Sequence, residues 1–312
     1  MRNELEIVRH SKLSHVNMFV VAMEYRTPHL HRDFELFLIL EGHLTLLSKG
    51  NSYTALPGEM LLINPNQPHE LLSQGVIGAT LLCLQVSPRF FNEMMPGIAD
   101  IFFDEVRLFD HTHGNWFSGL TRLLIEMATA YMRCAKHYEL FCASRLDELF
   151  YQLLSHLPHH SLSAAEQNSL QRNTERIIRL LDFVDANYMR KISLQNFAEM
   201  EGLSLNHLSF FIKENLNQTF QEYVANVRFN QACKLLLADN KRLIDVCMES
   251  GFSDPRYLAK AFIRRTGMTP NEYRHKYTGG EKDRYNRSLH SSQIFYSDEQ
   301  VMRILDYICN QL

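Results

Sequence analysis

Several features that would assign a protein class are missing from this sequence. Its 312 residues include only six cysteines, scattered and never in a C-x-x-C pair, which excludes a disulfide framework and a cysteine-based zinc site. No apolar run approaches the ~20 residues of a membrane helix. The opening MRNELEIVRHSK has no apolar core of a secretory signal. We therefore expect a cytoplasmic protein that does not contact membranes.

Catalytic patterns are missing as well. There is no Ser-His-Asp set, no glycine-rich phosphate loop and no pair of carboxylates at a spacing used for acid-base chemistry. The hydrophobic fraction of 46% and the charged fraction of 21% are those of an ordinary globular protein. The sequence therefore predicts a folded protein of two or three domains that is not an enzyme.

Positive charge is concentrated in one stretch of the chain. Residues 1–169 carry 12 Lys+Arg and 18 Asp+Glu, a net charge of −6. Residues 170–278 carry 16 and 12, a net charge of +4, and residues 279–312 carry 4 and 5, a net charge of −1. This distribution indicates a polyanionic partner for residues 170–278 alone.

The same basic stretch contains a unit that occurs twice. The first copy runs from Leu194 to Tyr223 and the second from Leu243 to Tyr273. They align with one residue inserted after the turn of the second copy. Each copy has a helical stretch, a glycine-containing turn and a second helical stretch. This is the plan of a helix-turn-helix, used twice in one domain.

The turn and the start of the second helix occur at matching places in both copies. Gly202 and Gly251 supply the left-handed residue of the turn, and Ser204 and Ser253 are predicted to cap the second helix. Between the copies, residues 219–238 read as one unbroken helix of roughly 30 Å. One DNA turn is ~34 Å, so the length suits second helices that enter successive major grooves on one face of the duplex.

The most specific stretch of the sequence is GFSDPRYLAKAFIRRTGMTPNEYR, residues 251–274. Together with the first copy it resembles the DNA-binding domain of AraC/XylS-type transcription regulators. The resemblance implies double-stranded DNA as a partner. The residues expected to contact it are Ser204, Asn206, His207, Ser209, Phe210 and Lys213 in the first unit, and Ser253, Arg256, Tyr257, Lys260, Arg264 and Arg265 in the second.

The two units are not expected to contribute equally. The second carries more basic side chains, so we expect it to supply more of the salt-dependent affinity. The first is expected to read bases through Asn206 or His207, with Phe210 either against a thymine methyl or in the core. Arg228 and Arg274 are expected to be structural or to contact phosphate, without sequence specificity.

Residues 15–110 read as β structure, because short apolar runs alternate with turn clusters such as Asn64-Pro65-Asn66-Gln67-Pro68. Many short strands favour a sandwich or a small barrel. His29, His31, Glu35 and Gly42 have the H-x-H-x₃-E-x₆-G spacing of cupin barrels. In metal-dependent cupins the matching histidines and glutamate, with a later histidine, bind a divalent metal, a ligand set that suits Mn, Fe, Ni or Zn.

The same stretch is also similar to the cupin-like sensor domains of AraC-type regulators, which mostly bind a small organic effector and lack metal. The second cupin motif departs from the metal-binding form, since Asn64 replaces a proline, the next glycine is absent and His69 comes one residue early. We therefore expect no metal or other cofactor, and an effector for which a sugar is the leading class. The expected effector contacts are His29, His31, Glu35, His69 and Glu70, with Arg26 or Arg32 for an anionic ligand.

Three further regions lie before and after the repeated units. Residues 116–158 have two helical apolar stripes, of which the second is wide enough either to pack on the β domain or to form a dimer interface. Residues 159–173 are polar and aperiodic, which predicts a linker. Residues 279–312 form an extension with a short helix capped by Ser297 and Gln300, which docks either on the second unit or on the sensor.

These patterns predict an α+β, multidomain protein. Residues 1–115 form a cupin-like β-barrel, residues 116–158 a helical dimerisation segment, and residues 174–278 an all-α double helix-turn-helix. The function implied is an effector-responsive transcription regulator, an activator that recruits RNA polymerase and controls a carbohydrate operon, working as a homodimer. Two alternatives remain: a metal-dependent cupin enzyme fused to a DNA-binding domain, and a DNA-binding architectural protein with a vestigial barrel.

Overall fold

Strands with period-two alternation, between residues 16 and 108, form an antiparallel, nearly closed barrel. The computed structural model describes residues 12–73, 78–109, 114–238, 241–278, 286–287 and 291–309. The barrel strands are β1 Val16–His29, β2 Phe34–Glu41, β3 Leu44–Ser48, β4 Asn51–Ala55, β5 Met60–Ile63, β6 His69–Ser73, β7 Ala79–Val86 and β9 Arg107–Leu108, and β8 Ile101–Phe103 lies outside this sheet. The predicted cupin-like architecture is confirmed.

The long strand β1 joins the two halves of the barrel. Its first part, from Val16 to Met23, pairs with β7, and its second part, from Tyr25 to His29, pairs with β6. The order of paired strands is β4-β3-β6-β1-β7-β2-β5-β9. Because β1 turns from one partner to the other, its last residues and the first residue of β6 meet at one end of the barrel.

Successive side chains of β2 point alternately into two different apolar cores, as expected for a β-strand. Phe34, Leu36 and Leu38 face the helices that follow the barrel. Phe37 and Ile39 face the barrel interior. Glu35 has the same parity as the interior residues and is buried, so an ionisable group lies inside the barrel.

The helical segment packs on the barrel. Helices α1 Asn115–Arg133 and α2 Tyr138–His156 share one apolar core with β1, β2 and β7. The wide stripe of α2 is therefore used largely within the chain, since Cys142, Leu146, Leu149, Phe150 and Leu153 are buried. Within the described residues, no helix combines the length and the hydropathy that a membrane crossing requires.

The C-terminal extension returns to the sensor. Strand β12 Ser291–Phe295 pairs with β1 and with β11 Asn286–Arg287. Helix α10 Asp298–Cys309 buries Val301 and Leu305 in the core of α1 and α2. The predicted Ser297–Gln300 capping box is confirmed, with the Ser297 N–H donating to Gln300 Oε1 at 3.0 Å. Of the two docking sites considered from sequence, the sensor is the one used.

The basic stretch is all-helical, as predicted. Its helices are α3 Ala164–Asn187, α4 Leu194–Glu201, α5 Leu205–Leu216, α6 Phe220–Ala238, α7 Leu243–Glu249, α8 Pro255–Thr266 and α9 Pro270–Thr278. Gly202 and Gly251 are left-handed, with φ of 63° and 80°. The cap at Ser204 is confirmed, since its hydroxyl accepts from the His207 N–H at 3.3 Å.

Two local predictions were wrong. Asp254, not Ser253, caps α8, because Pro255 occupies the first helical position and the Asp254 carboxylate accepts from the Arg256 N–H at 2.7 Å. The linker predicted over residues 159–173 is partly regular structure. Strand β10 His159–Ser161 pairs with β8, and α3 begins at Ala164, where Ser163 and Glu166 form a capping box.

Two arginines bind backbone carbonyls in the segments that flank the repeated units. Arg228 on α6 donates to the oxygens of Tyr188 at 2.8 Å and Arg190 at 2.7 Å. Arg274 on α9 donates to those of Leu236 at 3.2 Å and Lys241 at 2.6 Å. Of the two roles expected from sequence, both side chains therefore take the structural one.

The matching glycines give a stability test. A Cβ on Gly251 would lie 2.6 Å from the Tyr188 oxygen and 2.9 Å from Met189 Cα, whereas one on Gly202 meets nothing within 4 Å. We expect Gly202→Ala to lower the free energy of unfolding by about 1–2 kcal/mol, the left-handed strain alone. Gly251→Ala should lower it by more than roughly 3 kcal/mol, since overpacking adds.

Urea unfolding followed by circular dichroism measures this difference. The helical signal is the right readout because the single tryptophan, Trp116, lies in the sensor. Equal destabilisation by the two substitutions would show that the contact between the Gly251 turn and residues 188–189 does not restrain the second unit.

Candidate DNA interface and buried histidine cluster

Helices α5 and α8 each have a buried edge and an exposed edge. In α5, Leu208, Phe211, Ile212 and Leu216 are buried, and in α8, Leu258 and Phe262 are buried. The exposed edges carry the side chains expected to contact DNA: Asn206, His207, Ser209, Phe210 and Lys213 on α5, and Arg256, Tyr257, Lys260 and Arg264 on α8, preceded by exposed Ser204 and Ser253. This arrangement leaves both second helices open to a partner.

Phe210 lies on the exposed edge, with 69% of its surface accessible. Its neighbour Phe211 is 5% accessible and belongs to the core of the first unit. Of the two roles considered for Phe210 from sequence, the core role is therefore wrong.

Two of the expected arginine contacts have partners inside the protein. The guanidinium of Arg256 pairs with the carboxylate of Asp254 at 2.9 and 3.0 Å while staying exposed. The guanidinium of Arg265 lies 4.6 Å above the ring of Phe229 and donates to Asn226 Oδ1 on α6. Arg265 therefore packs against α6, unlike Lys260 and the other exposed residues of α8.

Inside the barrel, His29, His31, Glu35 and His69 form one buried cluster. One potential ligand atom from each lies within 4.8 Å of all the others. Glu35 Oε2 is 3.0 Å from His31 Nε2 and 3.2 Å from His69 Nε2, and the rings of His29 and His69 are 4.1 Å apart. Four of the residues expected from sequence to contact the effector thus lie together inside the barrel.

Neighbouring elements fix the orientation of these side chains. Glu35 Oε1 accepts from Gln85 Nε2 on β7 at 2.8 Å, which directs Oε2 into the cluster. The segment before His69 is held by Gln67, whose Oε1 accepts from the backbone and side-chain nitrogens of Asn64, both at 3.1 Å. Asn64, unusual for a cupin motif, also bonds the backbone of Phe103 in both directions at 2.8 and 2.9 Å.

The three histidines share one hydrogen-bond pattern. Each Nδ1 lies 2.9–3.0 Å from the backbone oxygen of a residue two positions away, which is Thr27 for His29, Asp33 for His31 and Gln67 for His69. Since a carbonyl oxygen only accepts, each Nδ1 carries the hydrogen. In the neutral rings Nε2 is then the nitrogen with the lone pair.

Electrostatics in the cluster favour neutral His29 and ionised Glu35. Burial, with the nearby positive charge of Arg26, holds the pKa of His29 well below its usual value. Burial alone would raise the pKa of Glu35, but the imidazoles of His31 and His69 outweigh it and hold that pKa well below its ordinary value. The cluster is therefore arranged around one carboxylate charge.

The other three expected effector residues lie outside the cluster. Arg26 is half-buried, and Arg32 is exposed and lines a cavity of about 410 Å³ along α3. Glu70 is buried on the side of the barrel that meets the DNA-binding domain, where burial raises its pKa to about 7 against the opposing charge of Arg265. Only four of the seven expected residues thus share one site.

The barrel and the DNA-binding domain are in direct contact. Leu30, between two cluster histidines, is fully buried in the apolar core that includes Ile177 of α3 and Phe211 of α5. Glu70, next to the third histidine, accepts from Gln218 Nε2 at 3.4 Å, and Gln218 Oε1 accepts from Asn226 Nδ2 at 2.6 Å. Sequence reasoning missed this interface, because single-sequence periodicity does not show which buried residues meet across domains.

A cavity of about 370 Å³ lies along this interface. Lys49, Asn66 and Phe102 of the sensor line one side, and Ile177 of α3 and Glu214 of α5 line the other. Its volume is in the range of small-molecule sites. Lys49 has two partners here, since its Nζ lies 4.2 Å above the Phe102 ring and its charge interacts with Glu214.

Comparison with known proteins agrees with this geometry. The family model described as an AraC-like ligand binding domain matches residues 21–154, and that of a helix-turn-helix domain matches residues 197–276. The chain is 27% identical over 266 residues to the uncharacterized HTH-type transcriptional regulator YbfI of Bacillus subtilis, covering 83% of this chain and 91% of YbfI. It is 25% identical to an uncharacterized HTH-type transcriptional regulator of Staphylococcus aureus strain MSSA476, covering 86% of this chain.

The chain spans about a third of the length of the Staphylococcus aureus relatives that it matches, 34% for the MSSA476 protein. Among solved structures, ToxT from Vibrio cholerae O395 is 16% identical with a TM-score of 0.40, over 85% of this chain and 99% of ToxT. The two family matches follow each other along the chain in the order of the barrel and the repeated helices. The chain belongs to the AraC-type transcription regulators, with an AraC-like ligand-binding domain followed by a helix-turn-helix DNA-binding domain.

Proposed function

We propose that the chain is a one-component regulator that reads DNA with α5 and α8 and responds to an effector bound by its sensor. The observation that carries the proposal is the pair of exposed polar edges, one on each second helix of the repeat. The connecting helix α6 has 19 residues, so it is roughly 28 Å long and supports reading of adjacent major grooves. The family is one of regulators and not of enzymes, which removes support from the cupin-enzyme alternative.

The interface between the domains supports a route for the response. Leu30 and Glu70 come from the barrel and contact the elements around α5 and α6. An effector that binds two arrangements of this interface unequally would change how the reading helices meet DNA. The space along the interface is large enough for a saccharide or a small acid.

Four finer features of the proposal come from the resemblance: a carbohydrate effector, activation through RNA polymerase, a homodimer and a cytoplasmic location. The exposed apolar residues of α2 support the homodimer. Leu140 and Tyr151 are 74% and 67% accessible although the opposite edge of the helix is buried. We propose that this exposed edge forms the dimer contact.

The adjacent residues Phe210 and Phe211 allow a DNA contact to be tested separately from the stability of the domain. We expect Phe210→Ala to change the free energy of unfolding by less than about 0.5 kcal/mol, yet to weaken DNA binding by about 1–3 kcal/mol, as for the loss of one base contact. Phe211→Ala should destabilise the domain by about 3–5 kcal/mol. Fluorescence anisotropy on a duplex selected from a random pool, with thermal unfolding in parallel, measures both. Unchanged DNA affinity in a stable Phe210→Ala protein would remove Phe210 from the interface.

The two units should differ in their electrostatic contribution. Lys260 and Lys213 are both exposed lysines, one on each second helix. We expect Lys260→Ala to weaken binding more than Lys213→Ala and to reduce the salt dependence of log K by about one. Arg256→Ala should likewise weaken DNA binding more than Lys213→Ala does. Anisotropy titrations over a range of salt concentrations measure these slopes, and equal losses for the three variants would contradict the asymmetry.

The effector class can be tested on the full chain, because β12 and α10 complete the sensor and a fragment ending near residue 160 would lack them. We expect a mono- or oligosaccharide, in the presence of EDTA, to stabilise the protein by about 2.7 kcal/mol at a hundred times its Kd. Lys49→Ala, in the lining of the interface cavity, should reduce this shift, and Arg89→Ala, at an exposed site of the same domain, should not. Stabilisation by organic acids alone would contradict the carbohydrate assignment while leaving DNA binding untouched.

A further inference from the structure

The cluster of His29, His31, Glu35 and His69 has a composition that needs a chemical explanation. Three imidazoles and one carboxylate are buried together, each with at most 3% of its surface accessible. Buried ionisable groups persist when they are paired or coordinate a metal. We propose that this cluster binds one divalent first-row transition-metal ion, through Nε2 of each histidine and a carboxylate oxygen of Glu35. The proposal goes beyond the regulatory function above and does not depend on which effector binds.

The histidine tautomers favour this assignment. All three Nδ1 atoms lie within hydrogen-bond distance of a backbone carbonyl two residues away, so each ring in its neutral form carries its lone pair on Nε2. The hydrogen bond of 3.0 Å between His31 Nε2 and Glu35 Oε2 uses a proton that a bound metal ion would displace. Metal-binding histidines almost always donate their other N–H in this manner. A single hydrogen bond of this kind is common. The same hydrogen bond at three histidines around one carboxylate indicates that the side chains are oriented to act as metal ligands.

Two distances within the cluster also fit a shared ion. Two ligand atoms that are ~2.1 Å from one ion and at right angles lie roughly 3.0 Å apart. Glu35 Oε2 is 3.0 Å from His31 Nε2 and 3.2 Å from His69 Nε2. Despite this closeness, His69 Nε2 forms no hydrogen bond within the described residues. A cation placed between these atoms replaces the His31–Glu35 hydrogen bond and the close His69–Glu35 contact with coordination bonds.

The surroundings select the class of ion. Imidazole ligands suit Zn, Fe, Ni and Cu, and carboxylate extends the range to Mn, whereas Ca²⁺ and Mg²⁺ prefer oxygen ligands alone. Gln85 Nε2 donates to Glu35 Oε1 at 2.8 Å and so supplies the outer hydrogen bond that orients a ligating carboxylate. The ligand set therefore points to Zn²⁺, Mn²⁺, Fe²⁺ or Ni²⁺.

The test uses the untagged full chain. Protein purified without chelator is analysed for metal by mass spectrometry, then stripped and titrated with Zn²⁺ and with Co²⁺ as a spectroscopic substitute. We expect about one ion per chain and visible Co²⁺ absorption bands that Zn²⁺ removes. Glu35→Gln and His69→Gln should each weaken Zn²⁺ binding by more than about 100-fold, because even outer-shell substitutions cost about 10–100-fold.

His43→Gln is the matched control, since His43 is an exposed histidine of the same barrel and its loss should leave binding unchanged. The wild-type protein gives a second readout that does not require a folded variant. In ¹⁵N-histidine-labelled, Zn²⁺-loaded protein, three histidines should be coordinated through Nε2 and protonated at Nδ1. Less than about a tenth of an equivalent of bound Zn²⁺, or equal weakening by His43→Gln, would overturn the proposal.

Discussion

The alternation of side chains at one end of the barrel is the constraint on which the rest of the structure depends. At the end of β1, His29 and His31 point into the buried cluster, while Leu30 between them lies in the core of the DNA-binding domain. At the start of β6, His69 points inward and Glu70 reaches Gln218. Because strand neighbours face opposite sides, neither strand can shift its inner residues without moving its outer ones. The same few backbone positions therefore place both the buried cluster inside the barrel and the contact between the barrel and the DNA-binding domain.

The repeated units are held by backbone ties more than by exposed charge pairs. Arg228 binds the two carbonyls that follow α3, and the Gly251 turn packs on the same segment. The turn of the second unit therefore rests on the segment that precedes the first unit, through atoms that leave no room for a side chain. Exposed pairs such as Arg256–Asp254 contribute little to stability, and the Asp254 carboxylate serves mainly as a helix cap. The contacts that hold the helices in place and the exposed edges of α5 and α8 use different residues. The domain can therefore be rigid while these edges stay accessible to DNA.

Local signals in the sequence predicted local structure well. The repeat, its glycine turns and the Ser204 cap follow from spacing and backbone chemistry, and they are found as expected. The start of α3 was missed although Ser163 and Glu166 carry a capping signature, because the polar residues after them have no apolar periodicity. The pairing of β12 with β1 joins residues far apart in the chain, and no local pattern specifies such a partner. The His29–Leu30–His31 alternation was visible, but the face that Leu30 contacts depends on a second domain.

The return of the chain to the barrel changes the topology of the molecule. The chain leaves the sensor after β10, passes through the whole DNA-binding domain and rejoins the sensor at β12 and α10. The DNA-binding domain is therefore inserted within the sensor sequence. It is attached to the sensor at both of its ends and not through a single hinge. Double attachment keeps its effective concentration at the barrel surface high even when the direct contacts open, and it limits those openings to arrangements that both anchors can span.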